Sequence, residues 1–263
     1  MTFARIIRIK RMVRVLLFWA VLWPATTANA QACRQALLLA LDVSGSVNPV
    51  EYDQQISGLA AALNDPEVRE LILQGGTDTP ISFAVYEWSS RNHQYVIQPW
   101  VALDSPAALD GVIARIASHR PVRAGLKTAL GTSLTFAAGM LDQQSHCWKL
   151  TLDVSGDGPN NIGPTPQQVY GLSAFDRVNI NALVIGNPMG ASGDGDGPAP
   201  EVLRQYFEDE VIRGVDAFSI VANGYGDYAD AMRRKLIREM TLPVFGQLGP
   251  DQSGPSLRIF AGN

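Results

Sequence analysis

LLLALDVSGSV, Leu37 to Val47, is apolar for five residues and then places Asp42, Ser44 and Ser46 at alternate positions. A short, continuously apolar run bounded by polar residues is what a strand buried on both faces of a parallel sheet requires, and Gln35 to Val43 reads as one. Pro49 to Leu63 follows with Val50, Ile56, Leu59, Ala60 and Leu63 at helical spacing, and Asn48 stands as N-cap before Pro49 at the first helical position. Strand then helix is the unit from which α/β sheets are built. A second stretch, KLTLDVSGDG from Lys149 to Gly158, nearly repeats the first.

The same reading continues in both directions. Ile81 to Trp88 and Tyr95 to Leu103 are two β-rich runs joined by SSRNHQ, too short for a crossover helix, so they are expected to pair antiparallel with the second at the sheet edge. Ser105 and Pro106 open a helix through about Ser118, and a loop leads to Gly131 and Thr132 before a helix over Leu134 to Leu141. Trp148 to Val154 predicts a buried strand, Pro166 to Arg177 a helix and Ile180 to Ile185 a strand. Pro200 to Phe207 predicts a helix, Ala217 to Val221 a strand and Asp227 to Met240 an amphipathic helix. This alternation specifies one α/β domain: a doubly wound, mostly parallel six-stranded sheet with one antiparallel edge strand and helices on both faces.

The ends differ from this domain. Residues 1–30 carry Arg5, Arg8, Lys10, Arg11 and Arg14 without an acid, then the apolar run VLLFWAVLW, then Ala28, Asn29 and Ala30 in an AxA pattern. That run is shorter than the ~20 residues a membrane-spanning helix needs. It reads as a secretory signal peptide cut after Ala30, which puts the mature chain in the periplasm or outside the cell and confines membrane contact to export. The domain then occupies residues 31–240, and the Gly- and Pro-rich segment 241–263 is a C-terminal tail. Losing five positive charges from 21 basic against 25 acidic residues leaves a mature net charge of −9. A chain this acidic is unsuited to nucleic acid or an anionic lipid surface. The composition sets no oligomeric state.

In a doubly wound sheet, ligands gather where strands end and helices begin. Asp42, Ser44 and Ser46 lie at such an end, and the Gly between the serines lets the backbone turn sharply. Carboxylate and hydroxyl oxygens are hard ligands, suited to Mg²⁺, Mn²⁺ or Ca²⁺, whereas zinc asks for His or Cys. These residues resemble the metal-ion-dependent adhesion site (MIDAS) of von Willebrand factor type A domains: DxSxS after the first strand, a Thr in a later loop and an Asp after the fourth strand. The matching positions are Asp42, Ser44 and Ser46, Thr132 in LGTSLTFAAGML, and Asp157 in SGDG, where the family usually shows TDG. The resemblance covers about residues 35–240 and extends to a secreted bacterial (DUF1194-like) branch through LDVSGDGPNN. It implies that the serine and threonine hydroxyls coordinate directly while the acids act largely through water. One coordination position is then left for the carboxylate of a protein partner.

Asp153 rivals Asp157, because it copies Asp42 within the LDVSG echo. The two cysteines bear on the choice. Cys33 lies nine residues before Asp42, and Cys147 lies ten before Asp157. With the first and fourth strands as parallel neighbours ~4.8 Å apart, this near-equal spacing brings both thiols together at the opposite sheet end, within reach of a disulfide. A Cys33–Cys147 bond is therefore expected and Asp157 is taken as the ligand, with Asp153 left as either a supporting carboxylate or a structural residue.

Other features carry less. GASGDGDGPAP, 190–200, lacks the closing Glu of an EF-hand and reads as a loop near the metal face. His93, His119 and His146 show no metal-binding spacing and read as surface residues, and the RRK stretch of the last helix reads as a solvated face. A phosphatase of haloacid-dehalogenase type would need a second Asp where Ser44 stands, and neither serine sits in a GxSxG elbow. The function expected is a secreted, divalent-cation-dependent protein-binding module that is not an enzyme. A metal-dependent phosphatase or hydrolase, or a scaffold with an unused metal site, stands as the alternative.

Overall fold

The computed structural model describes residues 32–122, 125–187 and 198–241. The fold belongs to the unit Gln31–Asn263, while the unit Met1–Ala30, on which the signal reading falls, lies outside the described residues, as does the tail beyond Thr241. Residues 188–197, most of the Asp- and Gly-rich loop, also lie outside them.

Strand β1, Gln35–Asp42, is buried at every position, and so is β2, Ile81–Trp88. Strands β3 (Gln94–Leu103), β4 (Lys149–Gly156), β5 (Val178–Gly186) and β6 (Ser219–Asn223) complete one six-stranded sheet in the order β3-β2-β1-β4-β5-β6. Among the pairings of the described strands only β2–β3 is antiparallel, and it puts β3 at an edge with mixed burial, as the short SSRNHQ connection required. Chain order reverses at β1 and β4, where the two DVSG segments run side by side; Gln35 pairs with Lys149 and Leu39 with Asp153.

The helices begin by a shared local grammar. Asn48, Asp65, Ser105 and Thr165 each cap a helix whose first residue is proline: α1 (Pro49–Leu63), α2 (Pro66–Leu73), α3 (Pro106–Ser118) and α5 (Pro166–Val169). The cap oxygen satisfies amides the helix leaves free, and proline gives up none that the helix needs. Helices α4 (Leu130–Asp142), α6 (Pro200–Glu210) and α7 (Tyr228–Thr241) complete the set. Alternation along β1 divides the core: Leu37, Leu39 and Leu41 pack with α1, α2, α3 and α7, while Ala36, Leu38 and Ala40 pack with α4, α5 and α6. No described helix is long and apolar enough to cross a membrane.

Three expectations are corrected. Helix α2 was not foreseen, although Asp65–Pro66 carries the same cap signal as the others. The single helix expected over 166–177 stops at Val169 and resumes only as a 3₁₀ turn, Ser173–Phe175. Gly171 weakens the helix there, and Phe175 turns inward edge-on to Tyr170, 5.3 Å between ring centres. Helix α4 begins four residues earlier than expected, at Leu130, so Thr132 falls within its first turn instead of in the preceding loop.

Candidate metal centre

Strand β1 ends at Asp42, a fully buried carboxylate whose Oδ1 accepts from the Ser44 backbone N–H at 2.8 Å. This turn carries the chain off the sheet. Gly45 is required by packing: a Cβ there would stand 2.8 Å from the Leu126 carbonyl oxygen. The loop leading into α4 therefore lies directly on the DVSGS turn. That loop is fastened to the end of β2, since Gly125 N donates to Ser89 Oγ at 3.0 Å and Ala129 N to the Ser89 carbonyl at 2.8 Å.

A chain of oxygens links the cluster. Ser44 Oγ lies 3.3 Å from Ser46 Oγ, and Ser46 Oγ donates to Asp157 Oδ1 at 2.7 Å. Thr128 Oγ1 donates to Ser44 Oγ at 3.3 Å, and the Tyr225 hydroxyl donates to Asp157 Oδ2 at 3.2 Å. Of the five residues singled out in the sequence, Asp42, Ser44, Ser46 and Asp157 come together here. Thr132 does not join them; its hydroxyl faces Gly163, one helical turn on, and the threonine beside Ser44 is Thr128. The reason is the early start of α4, which draws Thr132 into the helix and leaves Thr128 in the loop. The signal for Thr128 was KTAL, a threonine two residues ahead of a helix. Tyr225 had no sequence signal, because the 3₁₀ turn Tyr225–Asp227 reaches the site only through folding.

The electrostatics suit a cation. Burial, then the neighbouring Asp157, hold the Asp42 carboxyl well above the usual carboxylate range, and burial also raises Asp157. Among the described residues no lysine, arginine or histidine forms an ion pair with either acid. Asp42 Oδ2 is buried and has no hydrogen-bond partner. Two close carboxylates, three hydroxyls and an orphaned oxygen fit a hard divalent cation, whose charge would offset the cost of burying the acids.

The surroundings are tight. A Cβ on Gly131 would stand 2.1 Å from the Pro164 carbonyl oxygen, so the first turn of α4 rests against the loop after β4. Gly131→Ala is expected to lower stability by about 1–3 kcal/mol, the usual range for overpacking. Urea unfolding checks this, and an unchanged midpoint would mean that the 163–165 turn yields freely.

Two further sequence readings are corrected. His93 and His119 are largely buried, not on the surface; each ring Nε2 faces the fully buried Glu87, at 3.3 and 3.2 Å, and the Tyr52 hydroxyl donates to the same carboxylate at 3.1 Å. The RRK stretch is not wholly solvated, because Lys235 is fully buried and donates to Asp153. The Cys33–Cys147 disulfide is present, at the opposite end of β1 and β4 from the acids. His146 is close to both sulfurs, but a disulfide leaves no thiolate to bind metal.

A family model described as a protein of unknown function (DUF1194) matches residues 32–244. The chain belongs to the DUF1194 family. No curated protein matches it significantly. Among solved structures, the DUF1194 chain is similar to proximal thread matrix protein 1 of the mussel byssus, described with a zinc-occupied MIDAS motif: 16% identity, TM-score 0.55, covering 80% of this chain and 48% of that one. It is also similar to the pilus adhesin SpaC of Lactobacillus rhamnosus GG, at 14% identity and TM-score 0.54, covering 81% and 30%. A von Willebrand factor type A protein from Catenulispora acidiphila matches at 15% identity and TM-score 0.51, covering 80% and 43%. The DUF1194 chain thus has the von Willebrand factor type A fold and spans half or less of the length of these structures.

Proposed function

We propose that this chain is a secreted or periplasmic protein-binding module that works through a divalent cation. Asp42, Ser44, Ser46, Thr128 and Asp157 hold the ion, and the ion takes up a carboxylate from an acidic residue of a protein partner. The observation that carries this reading is the buried, unpartnered Asp42 Oδ2 in a cluster of acids and hydroxyls where, among the described residues, no basic side chain pairs with either acid. The all-oxygen donor set favours Mg²⁺, with Mn²⁺ or Ca²⁺ as substitutes. When bound, the cation supplies an electrophilic centre for the incoming carboxylate. The residues of this chain position it: Ser46 and Tyr225 orient Asp157, and the Ser44 amide orients Asp42. Export through residues 1–30 accords with the disulfide, which persists in oxidising compartments.

Calorimetry with Mg²⁺ and Mn²⁺ tests the reading. The wild type is expected to bind, Asp42→Ala is expected to abolish binding, and equal heats from the two proteins would reject it. Pull-down from the cell envelope with and without chelator then seeks the partner. Turnover of phosphoesters that disappears with Asp42→Ala would favour the enzyme instead.

A further inference from the structure

The cation reading uses Asp157 of LDVSGDGPNN and leaves the two asparagines at its end without a role. In the fold they reach back to the other ligand-bearing loop. Asn161 N donates to the Thr128 carbonyl at 2.9 Å, and Thr128 N donates to Asn161 Oδ1 at 2.9 Å. Asn161 Nδ2 donates to Thr128 Oγ1 at 3.3 Å. Asn160 adds an anchor on each side: its Oδ1 accepts from Gly131 N at 3.4 Å, and its N–H donates to the Tyr206 hydroxyl at 3.0 Å.

We infer that Asn161 is a positioning residue of the cation centre, tying the loop that carries Thr128 to the loop that carries Asp157 and setting the direction of the Thr128 hydroxyl. The inference rests on the function proposed above. A hydroxyl has one proton and two lone pairs. Thr128 spends its proton on Ser44 Oγ and one lone pair on Asn161 Nδ2, so a single lone pair is left for a cation. Donors on two separate loops must be ordered together to share one ion, and ordering costs conformational entropy. A clamp of three hydrogen bonds across 33 residues of chain settles that cost within the protein. Asn161 is itself exposed, so its removal leaves the core intact.

The test is a double-mutant cycle read by Mn²⁺ calorimetry on the wild type, Asn161→Ala, Thr128→Ala and the combined variant. Asn161→Ala is expected to bind Mn²⁺ about 10–100-fold more weakly, the usual effect of removing a group that orients a metal ligand. Because Asn161 acts through Thr128, the combined variant is expected to bind no more weakly than Thr128→Ala alone. Losses that simply add would overturn the inference, and so would wild-type affinity in Asn161→Ala. Melting in chelator separates a general structural effect: Asn161→Ala is expected to melt close to wild type, and a large drop with affinity preserved would also overturn it. A wild type that takes up no Mn²⁺ overturns the cation reading itself, a result distinct from equal binding by wild type and Asn161→Ala.

Discussion

Lys235→Ala is expected to cost the fold about 3–5 kcal/mol, the range seen when one partner of a buried ion pair is removed. Lys235 projects from α7 onto β4, where it donates to Asp153, and both side chains are almost wholly shut off from solvent. One turn further on, Glu239 accepts from Lys149 Nζ at 2.9 Å and from Gln35 Nε2 at 3.0 Å, and Asn181 donates to its other oxygen. The side of β4 facing α7 thus presents Lys149, Thr151, Asp153 and Ser155 in place of apolar residues. Deleting the Lys235 ammonium leaves Asp153 and the nearby Glu239 facing each other without it. Asp153 Oδ2 already lacks a hydrogen-bond partner, and the ammonium that remains nearby, Lys149, is paired with Glu239.

Replacing both members tests whether the pair stabilises or only specifies. Asp153→Leu with Lys235→Met is expected to be at least as stable as wild type, and by up to about 4 kcal/mol more so, because desolvation of a buried pair often exceeds its attraction. The titration of Asp153 points the same way. Burial outweighs the ammonium and raises this carboxyl from 3.8 to about 6. An acid whose pKa rises on folding contributes stability below its unfolded pKa and loses it as pH climbs through the folded value. The advantage of the double replacement is therefore expected to grow between pH ~4 and ~6. Urea unfolding at several pH values reads both effects; Lys235→Ala within about 1 kcal/mol of wild type would show that the pair is solvated in solution.

Removing the disulfide is the second large effect. The Cys33–Cys147 bond closes a sequence separation of 114 residues, between the segments entering β1 and β4. In the loop-entropy account a closure of this length is worth about 4–5 kcal/mol, with measured losses of about 2–5. Cys33→Ser with Cys147→Ser is expected to shift the urea midpoint accordingly. Cation affinity should not change, because the bond lies at the far end of the strands from Asp42 and Asp157. A midpoint unmoved by the double replacement would mean that the unfolded chain is already restricted, and a loss of cation binding would tie the two sheet ends together.

The residues themselves show why some features were readable. Asn48–Pro49 and Ser105–Pro106 announce helix starts through chemistry that acts within four residues of chain, and the missed α2 carries the same signal at Asp65–Pro66. Cys33 and Cys147 could be paired because strands have a fixed rise, so counting residues measures distance. The threonine could not be placed by counting. Thr128 and Thr132 both precede or open the same helix, and only the point where α4 begins, set partly by Asn160 accepting from Gly131, decides which one meets Ser44.

Strand and helix order, the antiparallel edge, the disulfide and the meeting of Asp42, Ser44, Ser46 and Asp157 were written in local patterns: apolar runs, caps and fixed spacings. Packing alone decided that Thr128 meets Ser44, that Tyr225 reaches Asp157 and Asn161 pairs with Thr128, that two histidines enclose Glu87, and that Lys235 is buried against Asp153. Local patterns express the preferences of neighbours in the chain. Whether two side chains from distant segments meet, and whether a charge ends in water or against another charge, is a property of surfaces that exist only once helices and sheet have closed on each other.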